Sequence, residues 1–92
     1  MEDHPSVGPS KPFTQAQKRN ILTENKAKNN GVIRSDLSGA RAVQAQQHTK
    51  GVTPPPNDAH IDHIVPRSKG GTNSYSNAQV LTREENLKKG TK

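Results

Sequence analysis

Ninety-two residues with 26% hydrophobic content and no cysteine leave room for one small, lean domain, and they exclude a second domain, a disulfide framework and a thiolate zinc site. With one Phe, one Tyr and no Trp the core must come from scattered Ile, Val and Leu, so stability is expected to be marginal unless a metal held by His, Asp or Asn, or a partner protein, adds to it. Fourteen Lys and Arg against eight Asp and Glu give a formal net charge of +6, which favours a polyanionic partner; no apolar run approaches the roughly 20 residues that span a bilayer, and Met1-Glu2-Asp3-His4-Pro5 carries no signal-peptide apolar segment.

Residues 1–12 hold three prolines, a glycine and two serines with almost nothing apolar, so they read as a flexible leader in which nothing functional is expected. Thr14 followed by Gln17 has the form of a capping box and predicts a helix from that point. Gln15 to Lys28 are mostly good helix formers, Phe13, Ile21 and Leu22 supply a thin apolar stripe, and Asn29-Asn30-Gly31 is a left-handed stop. Val32-Ile33-Arg34 and Ala40 to Val43 are short β-prone runs around Ser35-Asp36-Leu37-Ser38-Gly39, which predicts a small hairpin or knuckle. Gln44 to Lys50 is polar, with room for one helical turn, and Gly51 to Asp58 with Pro54-Pro55-Pro56 is a rigid extended connector. His60 to Val65 then reads as a strand, Pro66 to Ser76 as a long loop containing Gly70-Gly71, and Ala78 to Leu81 as a second strand. Thr82 and Glu85 repeat the capping-box pattern, so a closing helix should run to Gly90.

The polar residues in that last third stand out by their placement. Asp62 and His63 share a strand, Asn77 opens the next one, and Asn86 lies inside the closing helix. Strict alternation puts Asp62 and His63 on opposite faces, so a shared site calls for a bend or bulge at or before Pro66. His60 lies on the face of Asp62. His4 and His48 sit in polar segments and are given no role.

Three separated blocks carry a resemblance: Asp62-His63-Ile64-Val65-Pro66-Arg67-Ser68-Lys69-Gly70-Gly71, Ser76-Asn77-Ala78-Gln79-Val80-Leu81, and Glu85-Asn86-Leu87-Lys88-Lys89-Gly90. Together they resemble the HNH nuclease motif, and agreement at the right distances makes the match specific. The resemblance implies a small α+β fold in which a ββα-metal finger at about residues 60–90 follows an N-terminal helix and a short knuckle, all within one domain over residues 13–92. It assigns Asp62 and Asn86 as metal ligands, His63 as general base and Asn77 as the residue that holds His63 and fixes its tautomer through a side-chain or backbone oxygen. The chemistry suits those residue types. Phosphodiester hydrolysis needs an activated water, a group to take its proton and a cation for the growing charge. An imidazole takes up protons near neutral pH, and a carboxylate with an amide oxygen makes a hard, open cation site that favours Mg²⁺, with Mn²⁺, Ni²⁺ and Zn²⁺ as alternatives. His60, on the face of Asp62, is a candidate for a further ligand or a phosphate contact, against the alternative of a simple exposed side chain. Arg67, Lys69, Lys88 and Lys89 are expected to neutralise DNA phosphates without reading bases.

The knuckle at 35–39 resembles the zinc knuckle ahead of the motif in many HNH toxin domains, but Ser35 and Ser38 stand where its thiolates would be, so a turn without its metal is expected. With the Gly51 and Pro54-Pro55-Pro56-Asn57 connector, this resembles the C-terminal nuclease domains of Rhs/CDI-type polymorphic toxins. The implied function is a metal-dependent DNA endonuclease of little sequence specificity. It would be part of a larger secreted or injected bacterial protein, act in the recipient cytoplasm as a monomer, and be neutralised by an acidic cognate immunity protein. The alternatives are a non-catalytic nucleic-acid-binding module built on an HNH-like finger, and a fragment of a phage or restriction-type HNH nuclease.

Overall fold

The computed structural model describes residues 1–45 and 50–90. Helix α1 spans Gln15–Lys28 and helix α2 Arg83–Lys89; between them come strands β1 (Ile33–Arg34), β2 (Arg41–Ala42), β3 (Ala59–His63) and β4 (Ala78–Thr82), with short 3-10 turns at Arg67–Lys69 and Tyr75–Asn77. Both helices begin where expected. Thr14 and Thr82 each accept from the backbone N–H three residues on, while Gln17 and Glu85 reach back to the cap N–H, so two orphan donors are satisfied at each helix start. Beyond Lys28, Asn30 and Gly31 both take positive φ and turn the chain out of the helix. The helical turn considered for Gln44 to Lys50 lies largely outside the described residues.

Two antiparallel pairs form, β1–β2 and β3–β4. In the second the register runs Ala59↔Thr82, His60↔Leu81, Ile61↔Val80, Asp62↔Gln79 and His63↔Ala78. Directly paired residues share a face. Ala59, Ile61, His63, Ala78 and Val80 therefore point one way, and His60, Asp62, Gln79 and Leu81 the other. The first face meets α1: Phe13, Ile21, Ile33, Ala42, Ala59 and Val80 form the buried core, with Leu22, Ile61, Tyr75 and Ala78 packed against it. The second face meets α2.

So few apolar residues cannot hold the knuckle in place by area alone, and polar side chains do part of that work. Asn25 on α1, 2% exposed, gives its amide NH₂ to the Arg34 carbonyl and accepts the Arg34 N–H, acting as a strand partner for β1. Asp36 exchanges bonds with Val80 in the same manner, its N–H donating to the Val80 carbonyl and its carboxylate accepting the Val80 N–H at 2.7 Å. Each satisfies backbone groups that burial would otherwise strand.

The loop between β3 and β4 closes on itself at Gly71. A Cβ there would fall inside the van der Waals envelope of the Val65 carbonyl, so no other residue fits without moving that backbone. Residues 1–12, where nothing functional was expected, lie along this loop: Gly8 and Asn73 exchange hydrogen bonds, Ser10 donates its N–H to the Gly71 carbonyl, and the Ser10 hydroxyl donates to the Arg67 carbonyl. Among the described residues no helix is long and apolar enough to cross a membrane.

Candidate functional site

Three of the five singled-out polar groups lie on the α2 side of the sheet. His60 and Asp62 project from alternate positions of β3, and Asn86 and Lys89, three residues apart, face them from one side of α2. The Asn86 side-chain nitrogen lies 2.9 Å from His60 Nδ1. An amide nitrogen only donates, so Nδ1 accepts and the Asn86 oxygen lies on the far side of its amide group. The Asp62 carboxylate accepts from Gln79, its direct cross-strand partner, at 2.9 Å, and forms an ion pair with the Lys89 ammonium at 2.8 Å. Lys89 also donates to the His63 carbonyl at 2.9 Å, along the free edge of β3. Both partners of the ion pair are largely covered, with side chains 22% and 13% exposed.

His63 is on the other face. The strand is regular through its last residue and the chain bends only after it, so the expected rotation of His63 towards Asp62 does not occur. Its imidazole stacks on Phe13, ring centroids 4.2 Å apart, and its Nε2 lies 2.9 Å from the Lys11 carbonyl. A carbonyl only accepts; Nε2 therefore carries the hydrogen and the neutral ring has its lone pair on Nδ1. This orienting role was expected of Asn77. Instead Asn77 holds the backbone that follows His63: its side chain accepts the Val65 N–H at 2.8 Å and donates to the Val65 and Thr72 carbonyls, while its own carbonyl takes the Ile64 N–H. Among the described residues no hydrogen bond joins Asn77 to the imidazole. A backbone carbonyl 52 positions away leaves no mark in composition or spacing, so Lys11 could not have been read in advance.

The four cations expected on phosphates differ in their surroundings. Lys69 is exposed, and Lys88 is exposed within an i,i+4 pair with Glu84 at 3.4 Å. Arg67 donates to the Ser10 carbonyl, and Lys89 is engaged by Asp62 as described. Two cations not singled out, Lys18 and Arg19 on α1, line a cleft of about 540 Å³ together with His60, Ile61 and Asn86. Their positions on a helix bearing few apolar residues carried no distinguishing signal.

Among the described residues no group of three or more His, Cys, Asp and Glu gathers that could hold an ion. The donors that lie on the α2 side are few and mixed: the Asp62 carboxylate, the His60 imidazole and the Asn86 amide, whose nitrogen rather than oxygen faces His60. The Lys89 ammonium already acts there as a stand-in positive charge. Hard oxygen donors with one imidazole suit a cation that keeps several waters.

The profile described as HNH endonuclease matches residues 46–92, just over half of the chain. The chain belongs to the HNH endonuclease family. Its strand, loop, strand and helix from Ala59 to Lys89 are consistent with the ββα arrangement of that family, and a nuclease-like function follows from membership. Neither a curated protein nor a solved structure matches the chain.

The knuckle of this HNH domain is closed by hydrogen bonds. Ser35 Oγ accepts the N–H groups of Leu37 and Ser38, and both serine hydroxyls reach the Glu85 carboxylate at the start of α2. Burial works against the charged form of Glu85, but the bonds from Ser38, from Ser35 and from the backbone and side chain of Thr82 outweigh it and bring its pKa from 4.5 down to about 2. A folded-state value below the unfolded one means that this carboxylate stabilises the fold above about pH 4.5 and loses that contribution as the pH falls towards 2. Glu85→Gln keeps the shape of the cap without its charge. It is expected to lower the thermal midpoint at neutral pH and to flatten the acid limb; melting midpoints that fall in parallel with those of the parent across the acid range would show that Glu85 carries no such linkage.

Proposed function

We propose that this domain hydrolyses phosphodiester bonds of DNA in a divalent-cation-dependent reaction with little sequence preference. The observation that supports the reading is that β3 of a family-typical finger carries His60 and Asp62 on the face that α2 covers, where Asn86 meets His60 and Lys89 meets Asp62, with His63 closing the same strand. Asp62, Asn86 and His60 would hold the cation, which when bound supplies Lewis-acid stabilisation of the phosphorane and the leaving oxygen. Gln79 keeps the Asp62 carboxylate oriented through its amide. His63 takes the proton of the attacking water on Nδ1, the nitrogen that the Lys11 carbonyl leaves with its lone pair. Lys18 and Arg19 on the cleft, with Lys69 and Lys88, neutralise the backbone. Contacts of this kind to backbone phosphates carry no sequence information, which supports sequence tolerance.

The reading extends to biological role. We assign the domain to the C-terminal end of a secreted or injected antibacterial effector, acting in the recipient cytoplasm and neutralised by an acidic immunity protein. Support comes from the serine knuckle and proline connector ahead of the finger and from the +6 charge, which an acidic partner would complement. The oligomeric state proposed is a monomer.

Digestion of supercoiled plasmid, single-stranded DNA and RNA tests the chemistry, each with Mg²⁺, Mn²⁺, Ni²⁺ or Zn²⁺ and with chelator. Nicking and linearisation of plasmid that chelator abolishes is expected, with fragments of no fixed ends. Tight DNA binding without cleavage under every ion would favour the non-catalytic module instead, and discrete fragments would favour the phage or restriction-type reading.

A further inference from the structure

Among the described residues, the ion pair between Lys89 and Asp62 is the most covered and, at 2.8 Å, the shortest. Lys88 and Glu84, one position away on the same helix, meet at 3.4 Å with side chains 77% and 61% exposed, a geometry that contributes little. Lys89 instead reaches across from α2 to the edge of β3, meets Asp62 at 2.8 Å and the His63 carbonyl at 2.9 Å, and is mostly covered. Its ammonium therefore sits on the carboxylate that the cation reading assigns as a ligand. Lys89 and Gln79 both contact Oδ2 of Asp62, so a divalent ion entering at Oδ1 would share the carboxylate with the ammonium, and the two positive charges repel strongly in a partly desolvated site. Binding of the ion therefore works against the hold of Lys89 on Asp62. A lysine released from this contact has a long flexible stem and a polyanion as the nearest alternative partner.

We propose that Lys89 is a displaceable counter-ion: it neutralises Asp62 until a divalent cation takes the carboxylate, and the freed ammonium then binds a phosphate of the nucleic acid strand. This rests on the cation-dependent nuclease reading above. It makes cation loading and nucleic-acid binding mutually reinforcing, since each ligand favours the state in which Lys89 has left Asp62, and such coupling is reciprocal.

The experiment uses the full chain carrying His63→Ala, so that nucleic acid stays intact, and reads Mn²⁺ binding by the loss of free-ion paramagnetic resonance signal. Lys89→Met is expected to bind Mn²⁺ about tenfold more tightly than its Lys89 parent, a size typical of site-to-site coupling, because the carboxylate is no longer neutralised. Lys89→Arg should keep the weak parental binding, and Lys88→Met, which removes the same charge one residue away, should leave it unchanged. The second reading is the salt dependence of binding to a duplex oligonucleotide. With Mn²⁺ present the parent's slope should exceed that of Lys89→Met by about one counterion, and without Mn²⁺ the two slopes should coincide. Equal Mn²⁺ affinity in the parent and Lys89→Met, or equal slopes with Mn²⁺ present, overturns the proposal. These results are separable from failure of the underlying reading: Mn²⁺ uptake that Asp62→Asn does not diminish removes Asp62 as a ligand and takes both claims with it, whereas uptake that depends on Asp62 and ignores Lys89 overturns this one only.

Discussion

His63→Ala is expected to slow plasmid cleavage by roughly 10²–10⁴-fold, the usual contribution of a positioned general base, with DNA affinity retained. His63 lies on the core-side face of β3, stacked on Phe13 and tied to the Lys11 carbonyl, while Asp62 and Asn86 lie on the α2 side. In the proposed reaction the proton acceptor would stand at the end of the strand, on the face opposite Asp62 and Asn86. His60→Ala provides the contrast, because His60 is the imidazole that shares a face with Asp62 and touches Asn86. Removing a metal ligand or a phosphate-binding group at that position should weaken Mn²⁺ binding and raise the Mg²⁺ requirement, leaving the rate at saturating ion less affected than His63→Ala does. Should nicking assays with saturating ion find His63→Ala within a few-fold of the parent and His60→Ala inactive, the base is His60 and the assignment read from the motif is wrong.

Leu81→Ala is expected to destabilise the domain by about 2–5 kcal/mol, the range for deleting most of a buried leucine and leaving a cavity. Leu81 is 1% exposed and, with Val80, one of the two largest fully buried side chains. It stands directly across from His60, so the same cavity opens beneath the His60–Asn86 contact. In a domain of this size such a loss should lower the melting temperature by more than roughly 10 °C, and cleavage should fail at temperatures the parent tolerates. A midpoint within a few degrees of the parent would mean that α2 collapses onto the vacated space. The effect is large because the core is short of alternatives: with one Phe, one Tyr and 26% hydrophobic residues, little else can take up the burial.

Much of the architecture was legible because it rests on local rules. Both capping boxes lie within four consecutive residues, and both helices start at them. The stop at Asn30 and Gly31 follows from the backbone freedom of those residue types. Alternation along β3 placed His60 with Asp62 and set His63 opposite, and the regular register bears this out; the bend invoked to bring His63 round falls one residue too late to do so. The serine knuckle is a turn between β1 and β2, and Glu85 shows how the hydroxyls are used.

Contacts between distant segments were not legible. Lys11 and His63 are 52 positions apart, and Asp36 and Val80 are 44 apart; the first contact uses a backbone carbonyl that any residue of the segment could offer, and the second pairs the Asp36 N–H and carboxylate with the backbone of Val80. The lysines near the motif looked alike as charges in sequence, yet one is largely covered against Asp62 and its neighbour points to solvent.

From its order of residues this chain determines its helices, its strands, their alternating faces and its membership of a nuclease family, since each of these follows from steric and hydrogen-bonding preferences that act within a few residues. Only the folded arrangement decides which carbonyl orients His63, which lysine neutralises Asp62 and which helix lines the cleft with positive charge. Those outcomes depend on how α1, the β3–β4 pair and α2 meet across the core, and the energies that select the meeting are shared among residues far apart in the chain.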